Sequence, residues 1–198
     1  MRSLVLLGLV MTVPVQAAPR TLTIERGTAS YQSRDFLSAW TGTTDQMQGS
    51  IRFDDRTGLL LAGIVTVQLA GIDSKNGARD ARMRGELQTD KFPTATFTLQ
   101  TLEGFPKFSA WKQWGSRQQG KIRGDLTIRD ITRPVTFDGE AVYTSRELRI
   151  KATGTIKMTD FNLTPPSLLL VTVENTVGLT FEAVALPPKN SPPLPLGN

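Results

Sequence analysis

Residues 120–143 read GKIRGDLTIRDITRPVTFDGEAVY, and apolar and polar side chains alternate through them almost without interruption. Ile122, Leu126 and Ile128 share one parity, with Gly124 between them, while Arg123, Asp125, Thr127 and Arg129 take the other. A period of two places successive side chains on opposite faces of a strand, so this stretch has one wet face and one dry one. The same period recurs along the chain. It appears in TLTI (21–24), GSIRF (49–53), LLLAGIVTVQL (59–69), PTATFTLQTL (93–102), ELRIKATGTIKM (147–158), LLLVTV (168–173) and VGLTFEAVAL (177–186). Turn-forming residues separate the runs: DDRTG (54–58) reads as a hairpin connection and DITRP (130–134) as another turn. Roughly eight such runs, rich in Val, Ile, Thr and Phe, predict an antiparallel all-β domain, either sandwich or barrel. Helix is left to short excursions, at 76–92 and in the aromatic segment 105–117.

What the dry faces look at decides the function. Ala95, Gly124, Gly139, Ala141, Ala152, Gly154 and Ala183 lie on inward parities, alternating with Phe97, Leu126, Phe137, Ile156 and Phe181. A barrel of about eight strands has an interior just wide enough for its own side chains or for one slender ligand. With nine Phe and three Trp in the whole chain, few large side chains are available to fill that space. The opposing reading is a cavity-less β-sandwich acting as a surface interaction module, since protein interiors are normally dense. Alternation alone does not choose between them.

Chemistry is easier to bound. There is no His and no Cys, which removes Ser-His-Asp and Cys-His nucleophiles, His/Cys zinc sites and any disulfide framework. A carboxylate-dependent hydrolase stays open on paper, because Asp138 and Glu140 share a strand face and Asp54-Asp55 are adjacent. The bland reading is that all of these are solvated strand and turn residues. No catalytic residue, metal or required cofactor is assigned, and a binding protein rather than an enzyme is expected.

The 198 residues point to one domain flanked by two appendages. MRSLVLLGLVMTVPVQA (1–17) has a basic start, an apolar run and small residues before a cleavage point after Ala17, the pattern of a signal peptide. A soluble periplasmic or secreted protein is therefore expected, with its domain at 18–186. Loss of Arg2 with the leader lowers the formal charge from +5 to +4. The charges are scattered, with no Lys/Arg cluster and no nucleic-acid motif, so nucleic acid is not an expected partner. The tail from 187 to 198 carries five prolines and cannot form a ladder; it is expected to be disordered.

Three segments together resemble one family: ARDARMRGELQTDKFPTATFTL (78–99), GDLTIRDITRPVTF (124–137), and KMTDFNL followed by VTVENTVGLTFEAVA. The second is close to the signature G-x-L-T-I-x-G-x-T-[RK]-P-V. In order and spacing they resemble the YceI family of secreted polyisoprenoid-binding proteins, from Thr21 to Leu186. Arg79-Asp80 matches the family's Arg-Asp pair, Phe92-Pro93 its entry into a strand and Thr132-Arg133-Pro134 its turn. Arg82 stands where a His is often found, and Asp130-Ile131 interrupts the Gly before the turn. The resemblance implies an eight-stranded antiparallel lipocalin-like barrel, with short helical excursions, around an apolar tunnel. It also implies a bound polyisoprenoid or quinone-like lipid as the partner.

On that reading the tunnel lining falls on Ala95, Phe97, Leu99, Leu126, Ile128, Phe137, Ala152, Ile156, Met158 and Phe181. Arg79, Asp80 and Arg82 have two readings. They hold a crossing segment over the barrel mouth, or they greet a polar head group with guanidinium donors. Phe105, Phe108, Trp111 and Trp114 recur three apart with Lys107, Lys112 and Arg117 among them. That pattern fits a lid, a transient contact with a membrane surface, or plain packing on the barrel end.

Overall fold

A computed structural model describes residues 19–54, 59–106, 115–144, 146–168 and 171–191. The leader at 1–17, residues 55–58 of the DDRTG connection, the end of the tail from 192, and Phe108, Trp111 and Trp114 lie outside the described residues. Strands occupy Pro19–Arg34 (β1), Ala39–Thr44 (β2), Met47–Asp54 (β3), Leu60–Gln68 (β4), Thr94–Glu103 (β5) and Arg117–Ile128 (β6). They continue with Ile131–Tyr143 (β7), Leu148–Lys157 (β8), Ser167–Leu168 (β9), Val171–Thr172 (β10) and Thr176–Leu186 (β11). Helix α1 spans Gly77–Leu87, and 3₁₀ turns stand at Leu69–Gly71 and Met158–Phe161.

The sheet order is β11-β8-β7-β6-β5-β4-β3-β1, and β1 pairs back onto β11, which closes an eight-stranded antiparallel barrel. Closure removes the sandwich alternative, since a closed sheet has no second sheet to pack on. It also corrects the reading of 168–173 as a barrel strand. With β1 against β11 no edge is left for that run, and it splits between β9 and β10 of a small separate ribbon.

β2 and β3 behave as one strand laid along β1. Ala29↔Thr44 and Ile24↔Gly49 belong to a single register, interrupted only around Asp45–Gln46. Opposite that break, β1 has an irregularity between Ile24 and Arg26 in its pairing with β11. The extra residue flips the parity. Leu22 and Ile24 are buried before it, Ala29 and Ser33 after it.

The β6–β7 hairpin closes on Ile128↔Ile131, so the turn is Arg129-Asp130 alone, with Arg129 in the left-handed region at φ 57°. Thr132, Arg133 and Pro134, expected from the sequence to form the turn, are instead already strand. Proline is tolerated there for a geometric reason. The closing pair of a two-residue hairpin is hydrogen-bonded and pairs alternate, so Asp125↔Pro134 is a non-bonded pair. The proline nitrogen faces β8, whose ladder with β7 begins only at Asp138↔Thr153.

Three apolar clusters fill the barrel along its length. Leu22, Phe53, Tyr143, Leu148 and Ala185 form one end, Ile122, Phe137 and Ala152 the middle, and Leu126, Ile128, Phe161 and Leu163 the other end. Each large side chain buried this fully contributes ~1.5–3 kcal/mol. The remaining interior is not filled.

Candidate functional site: a two-chambered apolar bore

Two cavities occupy the space between these clusters. The first, of about 390 Å³, is walled by β1, β3, β4, β5, β6, β7, β8 and β11, and among its lining residues only Gln100 and Thr101 carry polar side chains. The second, of about 790 Å³, runs from Ile128, Ile156, Val177 and Leu179 out to Tyr31, Trp40, Asn76, Arg79, Arg82 and Glu86 beneath α1. Val67, Ala95 and Phe181 belong to both walls, so the chambers meet at a waist. Phe97, Phe137 and Phe181 form a row there, each neighbouring pair edge-to-face with centroids 5.4 Å apart. Both volumes lie in the range of about 300–1,000 Å³ typical of small-molecule sites.

Ala95, Phe97, Leu99, Leu126, Phe137, Ala152 and Phe181 stand in the wall of the first chamber; Ile128, Ile156 and Met158 stand in the wall of the second. The small inward residues divide into two kinds. Alanines 95, 141, 152 and 183 border the first cavity. Several inward glycines do not leave space, contrary to the simplest reading of their size, because a neighbouring ring lies over each. A Cβ at Gly124 would sit 2.5 Å from Phe97 Cζ, and one at Gly154 would sit 2.7 Å from Phe137 Cδ1. Phe105 covers Gly120 and Gly139 in the same way and also lines the first cavity.

Most of the wall was not legible in the sequence. Ile24, Met47, Ile51, Val65 and Val67 come from β1, β3 and β4. TLTI in β1 and GSIRF in β3 read as strands too short to assign an inward side, and LLLAGIV in β4 is apolar on both parities. Tyr31, Trp40 and the ribbon residue Val171 at the mouth had no local signal, because pairing far along the chain brings them there.

Helix α1 roofs the second chamber. Asn76 caps it, its side chain accepting from Arg79 N at 3.0 Å, and Gln88 ends it in the left-handed region at φ 50°. Arg79, Arg82, Met83, Glu86 and Leu87, three and four residues apart, turn one face to the cavity. Asp80 points the other way. It is buried, and its carboxylate accepts from Ser74 N at 3.2 Å and from Ser74 Oγ at 2.6 Å. Ser74 Oγ in turn receives Arg79 Nη1 at 3.4 Å. The Arg-Asp pair therefore has split duties: Asp80 latches the helix start, and Arg79 is held 4.5 Å over the Trp40 ring. Arg82 makes no ion pair among the described residues. The acids nearby are engaged elsewhere, Glu86 by Thr164 N at 2.6 Å and Asp35 by Leu37 N and Ser38 N at 2.8 Å each. Burial pushes the Tyr31 phenol above its usual range, with Ser74 hydrogen bonding pulling the other way. At neutral pH it is a hydrogen-bond donor.

Asp138 and Glu140 face outward. Asp138 pairs with Lys121, and Glu140 pairs with Arg117 at 2.6 Å. Exposed pairs of this kind contribute about 0–1 kcal/mol, and neither carboxylate approaches the bore.

A family model described as YceI-like domain matches residues 21–185. The chain belongs to that family. YceI proteins of Shigella flexneri and Escherichia coli O157:H7 are each 29% identical to it over 130 residues, 62% of either chain. The chain thus spans just under two thirds of the length of these curated relatives. Among solved structures, a polyisoprenoid binding domain from Saccharophagus degradans, implicated in plant cell wall breakdown, superposes with a TM-score of 0.67. That likeness covers 84% of this chain and 98% of the other at 15% identity. BcnA of Burkholderia cenocepacia has a TM-score of 0.63 at 17% identity, covering 80% of this chain and 95% of its own. At such identities the likeness is one of fold.

Proposed function

We propose that this YceI-like protein binds one elongated apolar molecule, a polyisoprenoid or the tail of an isoprenoid quinone, along the two chambers and sequesters or carries it. The observation that supports this most is the pair of chambers adjoining at a waist, the first lined by only two polar side chains and the second polar at its α1 mouth. Ala95, Phe97, Leu99, Leu126, Phe137, Ala152 and Phe181 then contact the hydrocarbon in the first chamber, with Ile128, Ile156 and Met158 doing so in the second. Arg79 and Arg82 receive the polar head, as guanidinium donors suited to a carbonyl or phosphate oxygen. Each 100 Å² of hydrocarbon withdrawn from water contributes ~2.5 kcal/mol, which is enough for tight binding without chemistry. The polyisoprenoid-binding neighbour supports the ligand class, and the leader supports a periplasmic or secreted site of action.

The test is mass spectrometry of an organic extract of the natively purified protein, beside the same extract of the Ala152→Trp variant. A long isoprenoid recovered from the parent and lost from a folded variant is the expected result. An empty parent, or equal lipid in both, overturns the reading of the bore.

A further inference from the structure

Two seams of the barrel are only half closed. Between β4 and β5 the ladder runs from Gln68↔Thr94 to Ile64↔Thr98 and stops. Yet β4 stays paired to β3 as far as Leu60, and β5 to β6 as far as Glu103. Each strand carries an extra residue just past the stop. Leu61 intrudes in β4 where Arg52↔Ala62 gives way to Phe53↔Leu60. Gln100 intrudes in β5 where Leu99↔Gly124 gives way to Thr101↔Arg123. A bulge bends its strand and sharpens the twist. Two bulges at one level on facing strands carry the strands apart and leave a notch in the wall.

The β7–β8 seam also ends early, at Asp138↔Thr153. There the 3₁₀ turn lays Phe161, followed by Leu163, against Val135 and Ile156, and both plugging side chains are almost wholly buried. The β4–β5 notch differs. Leu61, Ile64 and Leu102 around it are 46%, 44% and 38% exposed. Ile64 and Leu102, one on each lip, also belong to the wall of the first cavity, so among the described residues the cavity comes to the surface between them.

We propose that the β4–β5 notch is the passage by which the hydrocarbon end of the ligand emerges from the bore, so that a chain longer than the bore extends through it while its head stays at the α1 mouth. This rests on reading the bore as a hydrocarbon site. The opposite end is a poor place for a tail to emerge. Its helix is tied down by the Asn76 cap, the Asp80–Ser74 latch and the Glu86–Thr164 bond, and it presents guanidinium groups. Hydrocarbon resting against charged groups strips them of hydration that it cannot replace, whereas Ile64 and Leu102 impose no such penalty. Open ladder edges with exposed aliphatic side chains are ordinarily suppressed in soluble proteins, and a passage gives this one a use.

The chain has no cysteine, so a single introduced thiol can be modified uniquely. Leu102→Cys and Ile64→Cys, one on each lip, are alkylated with a bulky charged maleimide, and Lys151→Cys on the outer face receives the same adduct. Loading of a fluorescent long-chain polyprenol from phosphatidylcholine vesicles is followed with time, after circular dichroism has verified folding. Both lip adducts are expected to slow loading about tenfold, within the one to three decades over which association rates vary among variants of one site, while the outer-face adduct loads like the parent. Equal loading by all adducts refutes the passage and leaves the carrier reading intact. Failure of the unmodified parent to load refutes the carrier reading, and the passage with it.

Discussion

Phe181 stands at the waist between the chambers, half-buried, with its ring edge-to-face on Phe137 and empty space on two sides. Phe181→Ala removes that constriction. A phenylalanine truncated in a close-packed core costs ~3–5 kcal/mol, but this ring is not enclosed on every side. The aromatic contact accounts for about 0.5–1.5 kcal/mol and the lost burial of a half-exposed ring for about 1–2 kcal/mol. The expected destabilisation of the extracted, ligand-free protein is thus about 1.5–3.5 kcal/mol, read from urea unfolding. Widening the waist also changes what fits. In competition between prenols of graded length, followed by native mass spectrometry, the variant should shift toward longer and bulkier chains, and bound lipid should restore part of the lost stability by mass action. A loss of 4 kcal/mol or more with an unchanged length preference would mean that the ring is ordinary core and that the waist does not limit the ligand.

Two further outcomes test the supporting structure. Gly124→Ala brings a Cβ to 2.3 Å from the Thr98 carbonyl oxygen and 2.5 Å from Phe97 Cζ; the overpacking is expected to cost about 1–3 kcal/mol in urea unfolding, and a neutral result would show that the ring does not rest on the strand. Asp80→Ala takes from the Ser74 amide and hydroxyl the carboxylate that accepts their protons at a buried site, at about 1–3 kcal/mol, and amide exchange should accelerate across residues 74–88 with little change in the barrel strands; uniform exchange would contradict a local latch.

Much of the barrel was legible because a strand with one wet face and one dry face declares itself every second residue. β5, β6, β7 and β8 read cleanly for that reason, and so did the inward set from Ala95 to Met158. β1 was read only as far as Ile24, where its bulge reverses the parity. β2 went unread because it is a continuation of β3 along β1, visible only once the register is known. Helix α1 carried a weak signal: among its described side chains only Asp80 is buried, and its moment comes from a face turned to a cavity rather than to packed core.

Local alternation and composition by themselves determined the strands, the inward parity, the exclusion of His and Cys chemistry and the stock of small residues. They did not determine which small residues leave room. That depends on the neighbour on the adjacent strand, which lays Phe97 over Gly124 and Phe137 over Gly154 but leaves Ala95, Ala152 and Ala183 facing space. Closure of β1 on β11, the waist at Phe181 and the notch between two bulges likewise depend on pairs far apart in the chain. Periodicity is a property of neighbours in sequence, whereas a void is set by side chains that meet only when the sheet has closed.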